Sequence, residues 1–192
     1  MNKVSQTVPE ALIYEVINQR PIYYRGYKEY LQGTKKIEAI KTGSLLKSMI
    51  VSRLVFLLQT KLGLNYEILT NELGIQFSQK SWRAADIVIA KSEDIEAVEI
   101  TDKYLNFPPE IVIEIDTKAA LDEIENPLNY YHEKTDELLN FGVKKVIWIF
   151  SETQKVTIAQ ANKRWETADW EEDIEVMNGV FVNIEKLMKK RR

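Results

Sequence analysis

Two short apolar runs, each carrying a single carboxylate, constrain this chain more than any other feature. Residues 82–90 read WRAADIVIA and residues 109–116 read PEIVIEID, so Asp86 and Glu114 sit among Ile and Val neighbours. The near-continuous apolar run of Ile111, Val112, Ile113 and Ile115 suits a central strand covered on both faces. Such a strand rarely carries an acid without a partner. Two acids on adjacent buried strands are costly unless positive charge stands between them, and a divalent cation is the obvious candidate. A helix bearing Lys134 follows, and a third apolar run, Val146 to Phe150, closes the unit.

The rest of the chain supplies the frame. Tyr14 to Ile17 and Pro21 to Arg25 flank Asn18-Gln19-Arg20 and predict a hairpin. Ser44 to Leu62 is the strongest helix, with apolar residues at 46, 50, 54, 57, 58 and 62, Ser44 as N-cap and Gly63 as the stop. Tyr66 to Leu69 and Ile75 to Phe77 read as two short strands around Asn71-Glu72. A charged loop, 91–107, joins the two acid-bearing strands. Pro127 suits a first helical position after Asn126 as cap, and Gly142 ends that helix. Residues 155–160, 165–168, 174–177 and 180–184 read as further strands, with Asn178-Gly179 as a hairpin turn, and 185–190 as a short terminal helix. The order of helices and strands predicts an α/β (α+β) chain, a mixed sheet with helices packed on it. The length of 192 residues predicts one domain, with 1–8 and 189–192 as flexible ends.

Composition narrows the function. A net charge of −3 is not the footprint of a tight, nonspecific nucleic-acid binder, though it leaves room for a local basic groove. The basic Lys189 to Arg192 tail reads as a solvated end. With no cysteine, thiolate zinc sites, disulfides and thiol nucleophiles are excluded, and the single histidine, His132, excludes a multi-histidine metal site. His132 itself reads as a surface residue, and Asp122 as part of a solvated loop. The opening MNKVSQTVPE lacks the apolar core of a signal peptide, and no run approaches the roughly 18 apolar residues of a membrane span. The cytoplasm is the expected compartment.

Each candidate residue has a plain structural alternative. Lys134 lies three residues after Tyr131 and four before Leu138, at the border of a stripe formed by Leu128, Tyr131, Thr135 and Leu138; a lysine snorkelling at the edge of the core fits equally well. Asp86 or Glu114 could pair with an arginine such as Arg83, or turn its side chain to solvent. Glu15 falls on the hairpin face opposite Tyr14 and Val16, where an exposed edge acid is the simpler reading.

These pieces, in this order, resemble the PD-(D/E)XK nuclease superfamily and, within it, the Uma-type restriction endonuclease family. The matching segments are YEVINQRPIYY, the helix from Ser44, RAADIVIA, IVIEIDTK, HEKTDELLNFGV and KKVIWIF, together spanning about residues 10–185. The resemblance implies a restriction-endonuclease-like mixed sheet with flanking helices and a Mg²⁺- or Mn²⁺-dependent phosphodiesterase acting on DNA. It makes Asp86 the first acid and Glu114 the second, and Glu15 an auxiliary acid of the first strand. The superfamily's usual lysine, two residues after the second acid, is replaced here by Asp116, a further metal-ligand candidate. The lysine's role then falls to Lys134 on the following helix, with Lys118 as the other candidate. Ala85 stands where a proline is usual. A noncatalytic binding protein on the same fold is the competing expectation. A homodimer is expected only because cutting both strands often needs two sites.

Overall fold

The computed structural model describes residues 7–124 and 126–189. The expected flexible ends fall mostly outside these residues. In chain order the elements are β1 (Ile13–Ile17), β2 (Arg20–Tyr23), α1 (Tyr27–Leu31), α2 (Ile37–Lys41), α3 (Leu45–Leu62), β3 (Tyr66–Ser78), β4 (Ser81–Lys91), α4 (Ser92–Glu96), β5 (Ile111–Ile115), α5 (Pro127–Phe141), β6 (Lys145–Phe150), β7 (Lys155–Gln160), β8 (Glu166–Asp169), β9 (Ile174–Met177), β10 (Val180–Val182) and α6 (Ile184–Met188). Eight strands form one mixed sheet, and β9 and β10 form a separate hairpin.

The sheet forks at β4. Along one edge β4 pairs with β3 from Tyr66↔Lys91 to Ser78↔Ser81. Its other edge is shared: β1 joins near the start, at Val16↔Trp82, and β5 joins near the end, from Ile87↔Ile113 to Ile89↔Ile111. Between those two partners, at Ala84 to Asp86, no strand among the described residues pairs with that edge. Beyond the fork the sheet continues through β6, parallel to β5, and then through antiparallel β7 and β8.

Alternation along β5 divides the core. Ile111, Ile113 and Ile115 point to one face with Ile87, Ile89, Ile147 and Ile149, and α3 covers them with Ile50, Leu54, Leu58 and Leu62. Val112 points to the other face with Val88, Val146 and Trp148, and α5 covers them through Tyr130 and Leu138. Each buried aliphatic of α3 contributes about 1.5–3 kcal/mol of transfer free energy. Ser44 caps α3 by accepting from the Lys47 N–H at 3.1 Å, and Gly63 follows at φ +66°. Asn126 caps α5 through the Leu128 N–H at 3.0 Å, and Gly142 ends it at φ +118°.

Several expectations need correction. The two short strands around Asn71-Glu72 are one strand, β3, with a bulge there that puts both residues at positive φ (+77° and +55°) opposite Asp86. The bulge keeps the pairing on both sides, so a local turn signal does not end the strand. The loop over 91–107 contains α4. On α5 the expected stripe holds at Thr135 and Leu138, which are buried, and at Tyr131, which is half-buried against the core, but Leu128 is exposed, and Tyr130 and Lys134 are buried as well. The final strand stops at Val182 and the last helix starts at Ile184, capped by Asn183.

Candidate active site at the sheet fork

The free edge of β4 at Ala84 is satisfied by side chains in place of a strand. The Ala84 N–H donates to Glu15 Oε1 at 3.2 Å, and the Ala84 carbonyl accepts from Lys134 Nζ at 2.6 Å. Unpaired backbone groups in a core are expensive, so these two side chains make the fork possible. They reach it from β1 on one side and α5 on the other.

Glu15 is fully buried, which overturns the exposed-edge reading. The β1–β2 register shifts between Ile13 and Glu15. The same side chain holds four donors: Lys134 Nζ at 2.7 Å and the Ala84 N–H on Oε1, with Arg83 Nη1 at 3.1 Å and the Tyr130 hydroxyl at 2.8 Å on Oε2. Burial pushes its carboxyl upward, but Lys134 and Arg83 outweigh that and hold it below the ordinary carboxylate value. Arg83 also donates to Glu137 at 2.7 Å. It therefore pairs with Glu15 and Glu137, not with Asp86 or Glu114.

Lys134 is fully buried as well, so it does not snorkel. Its ammonium contacts Glu15 and lies 3.0 Å from Glu114 Oε1. Burial would lower its pKa, yet the two flanking carboxylates raise it above the ordinary lysine value. Glu114 is 1 % exposed, and its Oε1 accepts no hydrogen bond despite the ammonium beside it. Its carboxyl is pushed up to about 8, first by burial, opposed by Lys134 and reinforced by Asp86 and Glu15. Around the fork, four carboxylates (Glu15, Asp86, Glu114, Glu137) face three cations (Lys47, Arg83, Lys134). That surplus of one negative charge falls on Glu114, the least hydrogen-bonded of the four.

Asp86 is buried and fills the place where β4 and β5 part. Its Oδ2 accepts the Ile115 N–H at 2.8 Å, and its Oδ1 lies 2.7 Å from Lys47 Nζ of α3. Asp86 also lines a cavity of about 530 Å³ between the N-terminal half of α3 and the β3 bulge, together with Lys41, Lys47, Glu72 and Lys118. Lys118 pairs with Glu72 across that cavity and donates to the Lys41 carbonyl.

The fork therefore brings together Glu15, Asp86, Glu114 and Lys134. Lys118 lines the cavity beside Asp86, and its ammonium is taken by Glu72 and the Lys41 carbonyl. Asp116, at φ +53°, turns its carboxylate to the end of β6, where the Ser151 N–H (2.9 Å) and hydroxyl (2.6 Å) donate to its two oxygens. Among the described residues no three His, Cys, Asp or Glu side chains cluster as a metal-ligand set. His132 is exposed and stacks on Trp165, and Asp122 is exposed beside Lys28, as expected. No described helix is long and apolar enough to cross a membrane.

Sequence reasoning missed Lys47, Tyr130, Glu137 and the true partners of Arg83. Lys47 did carry a signal: a lysine in the first turn of a helix opposes the macrodipole, which favours acids there.

The sequence matches no known family model and no curated protein. The structure is similar to the crystal structure of a protein from Anabaena variabilis ATCC 29413 described as "a putative nuclease belonging to DUF820". The TM-score is 0.66 and the identity 18 %, over 90 % of this chain and 88 % of that one. At that identity the likeness establishes the fold alone: a mixed α+β chain with a large mixed sheet flanked by helices, as expected from the sequence.

Proposed function

We propose that this chain is a metal-dependent endonuclease of the Uma type that hydrolyses DNA phosphodiester bonds. The observation that carries the reading is the convergence at the fork: one acid from β4, one from β5, and Lys134 in ion-pair contact with the second. The similarity to a protein described as a nuclease supports it.

A magnesium-type ion fits the residues present. Such ions keep several waters and are held by one or two carboxylates plus substrate phosphate, so two acids suffice. Glu114 Oε1 is buried and accepts no hydrogen bond. Asp86 is anchored through Oδ2, which leaves Oδ1 as the ligating oxygen. When bound, the ion supplies an activated water and neutralises charge on the phosphate. Lys134 fixes Glu114 and places a permanent positive charge beside the reacting phosphate. Lys41, Lys47 and Lys118 line the cavity beside Asp86 and give an otherwise acidic chain a local patch for the phosphate backbone. Asp116, held by Ser151, supports the end of β5.

A noncatalytic binding protein is the second reading. It is favoured by Asp116, where a lysine is usual, and by protein cations beside each acid. Incubation of supercoiled plasmid and single-stranded DNA with Mg²⁺ or Mn²⁺ separates the two. Nicking by the wild type that is lost in both Glu114→Ala and Lys134→Ala supports the nuclease. Activity that survives both substitutions belongs to a contaminant, and metal binding without cleavage leaves the binding protein.

A further inference from the structure

Lys47 breaks a local rule and sits where the cation of the proposed site would go. It occupies the first turn of α3, where the helix dipole disfavours a positive charge. Its side chain nevertheless reaches inward, is 13 % exposed, and brings Nζ to 2.7 Å from Asp86 Oδ1. Nζ makes no hydrogen bond, although it is buried. Departures from local preference are expected at functional positions, and here the departure brings an ammonium to an acid of the proposed site.

The two lysines at the fork differ in how firmly they are held. Lys134 is enclosed by Glu15, Glu114 and the Ala84 carbonyl, so removing it would strand buried polar groups. Among the described residues the Lys47 ammonium has one ion-pair partner, Asp86, and it borders the cavity. Rotation about its own side-chain bonds would carry Nζ into that cavity without moving α3. Asp86 would keep its anchor through Oδ2 and the Ile115 N–H, and would present Oδ1.

We infer that Lys47 is an internal counter-ion that a divalent cation displaces from Asp86. Metal entry and lysine exit are one exchange, and the released ammonium lies in the lysine-lined cavity, where it meets a phosphate. Lys47 thereby lowers the affinity for free metal ion and raises that for metal together with DNA. The inference rests on the proposed metal-dependent nuclease site.

Calorimetric titration of Mn²⁺ into the wild type, Lys47→Met, Lys47→Arg and Glu114→Gln tests it, without any assay of cleavage. Lys47→Met is expected to bind Mn²⁺ about tenfold more tightly than the wild type, since an ion-pair competitor of roughly 1.4 kcal/mol is gone. Lys47→Arg keeps the charge and is expected to stay near the wild type, while Glu114→Gln is expected to lose binding. A short double-stranded oligonucleotide, added in Ca²⁺ to prevent turnover, is expected to bind Lys47→Met more weakly. Equal or weaker Mn²⁺ binding by a folded Lys47→Met overturns the exchange while leaving the nuclease site standing. Lys47→Arg binding Mn²⁺ as tightly as Lys47→Met also overturns it, because charge would then not be the competitor. Absence of Mn²⁺ binding in every protein removes the metal site and the exchange together.

Discussion

Lys134 Nζ lies 3.0 Å from Glu114 Oε1, with both side chains buried, yet that oxygen accepts no hydrogen bond. The ammonium is instead bonded to Glu15 and to the Ala84 carbonyl. One amine thus ties β1, β4 and α5 together and touches the second acid of the site.

Replacing Lys134 with Met should therefore cost stability as well as activity. Removing one partner of a buried ion pair leaves uncompensated charge and typically costs about 3–5 kcal/mol. Here Glu15 keeps Arg83 but loses its second cation, and the buried Ala84 carbonyl loses its donor. Urea denaturation should show the loss for Lys134→Met, with a much smaller further loss when Glu15→Gln is added, because the two act in one network. Additive effects in the double variant would mean that the network is not coupled.

The elevated Glu114 carboxyl gives stability a pH dependence. Its folded value is about 8 against an ordinary 4.5. Between these values the folded protein keeps a proton that the unfolded chain has released, so stability falls as pH rises across that interval. Glu15 runs the opposite way: its folded value is lowered, so its contribution is present at neutral pH and is lost on acidification. In metal-free buffer, Tm should decline from about pH 5 to about pH 8, and Glu114→Gln, which mimics the protonated acid, should flatten that decline. Parallel wild-type and variant curves would place the charge imbalance elsewhere.

The end of α5 offers a backbone test. Gly142 sits at φ +118°, and a Cβ there would lie 3.1 Å from the Pro108 ring. Strain and contact act together, so Gly142→Ala should destabilise by about 1–3 kcal/mol. Because this turn leads from α5 into β6 and lies away from the fork, chemical denaturation should shift while metal affinity stays within error. An unchanged midpoint would show that the turn relaxes freely.

How much of this was written in the sequence differs from residue to residue. The two acids were legible because each stands alone in an apolar run, and an acid in a strand covered on both faces needs a partner. Lys134 was placed near the stripe but not inside it, since a helix turns about 100° per residue and a one-position error moves a side chain from border to centre. Glu15 was misjudged because its partners lie 68 to 119 residues away, where no local pattern reaches. Arg83 was named as a partner for an acid of the site, but periodicity does not say which residue stands across a gap. The fork itself depends on three strands meeting one, and it was invisible in any single segment.

Divalent metal should raise stability through the same two acids. A ligand that binds only the folded state contributes RT ln(1 + [L]/Kd), about 2.7 kcal/mol at a hundredfold excess over Kd. A melt in millimolar Mg²⁺ or Mn²⁺ should therefore rise by several degrees over one in EDTA. The rise should be larger at about pH 8 than at about pH 6, because a ligating Glu114 must give up the proton that burial helps it hold. Asp86→Asn and Glu114→Gln should each abolish the rise, whereas Asp116→Asn should retain it, since Ser151 already occupies both Asp116 oxygens. Loss of the rise in Asp116→Asn alone would move the ion from the fork to the end of β5. The same rise in all four proteins would assign it to nonspecific ion binding.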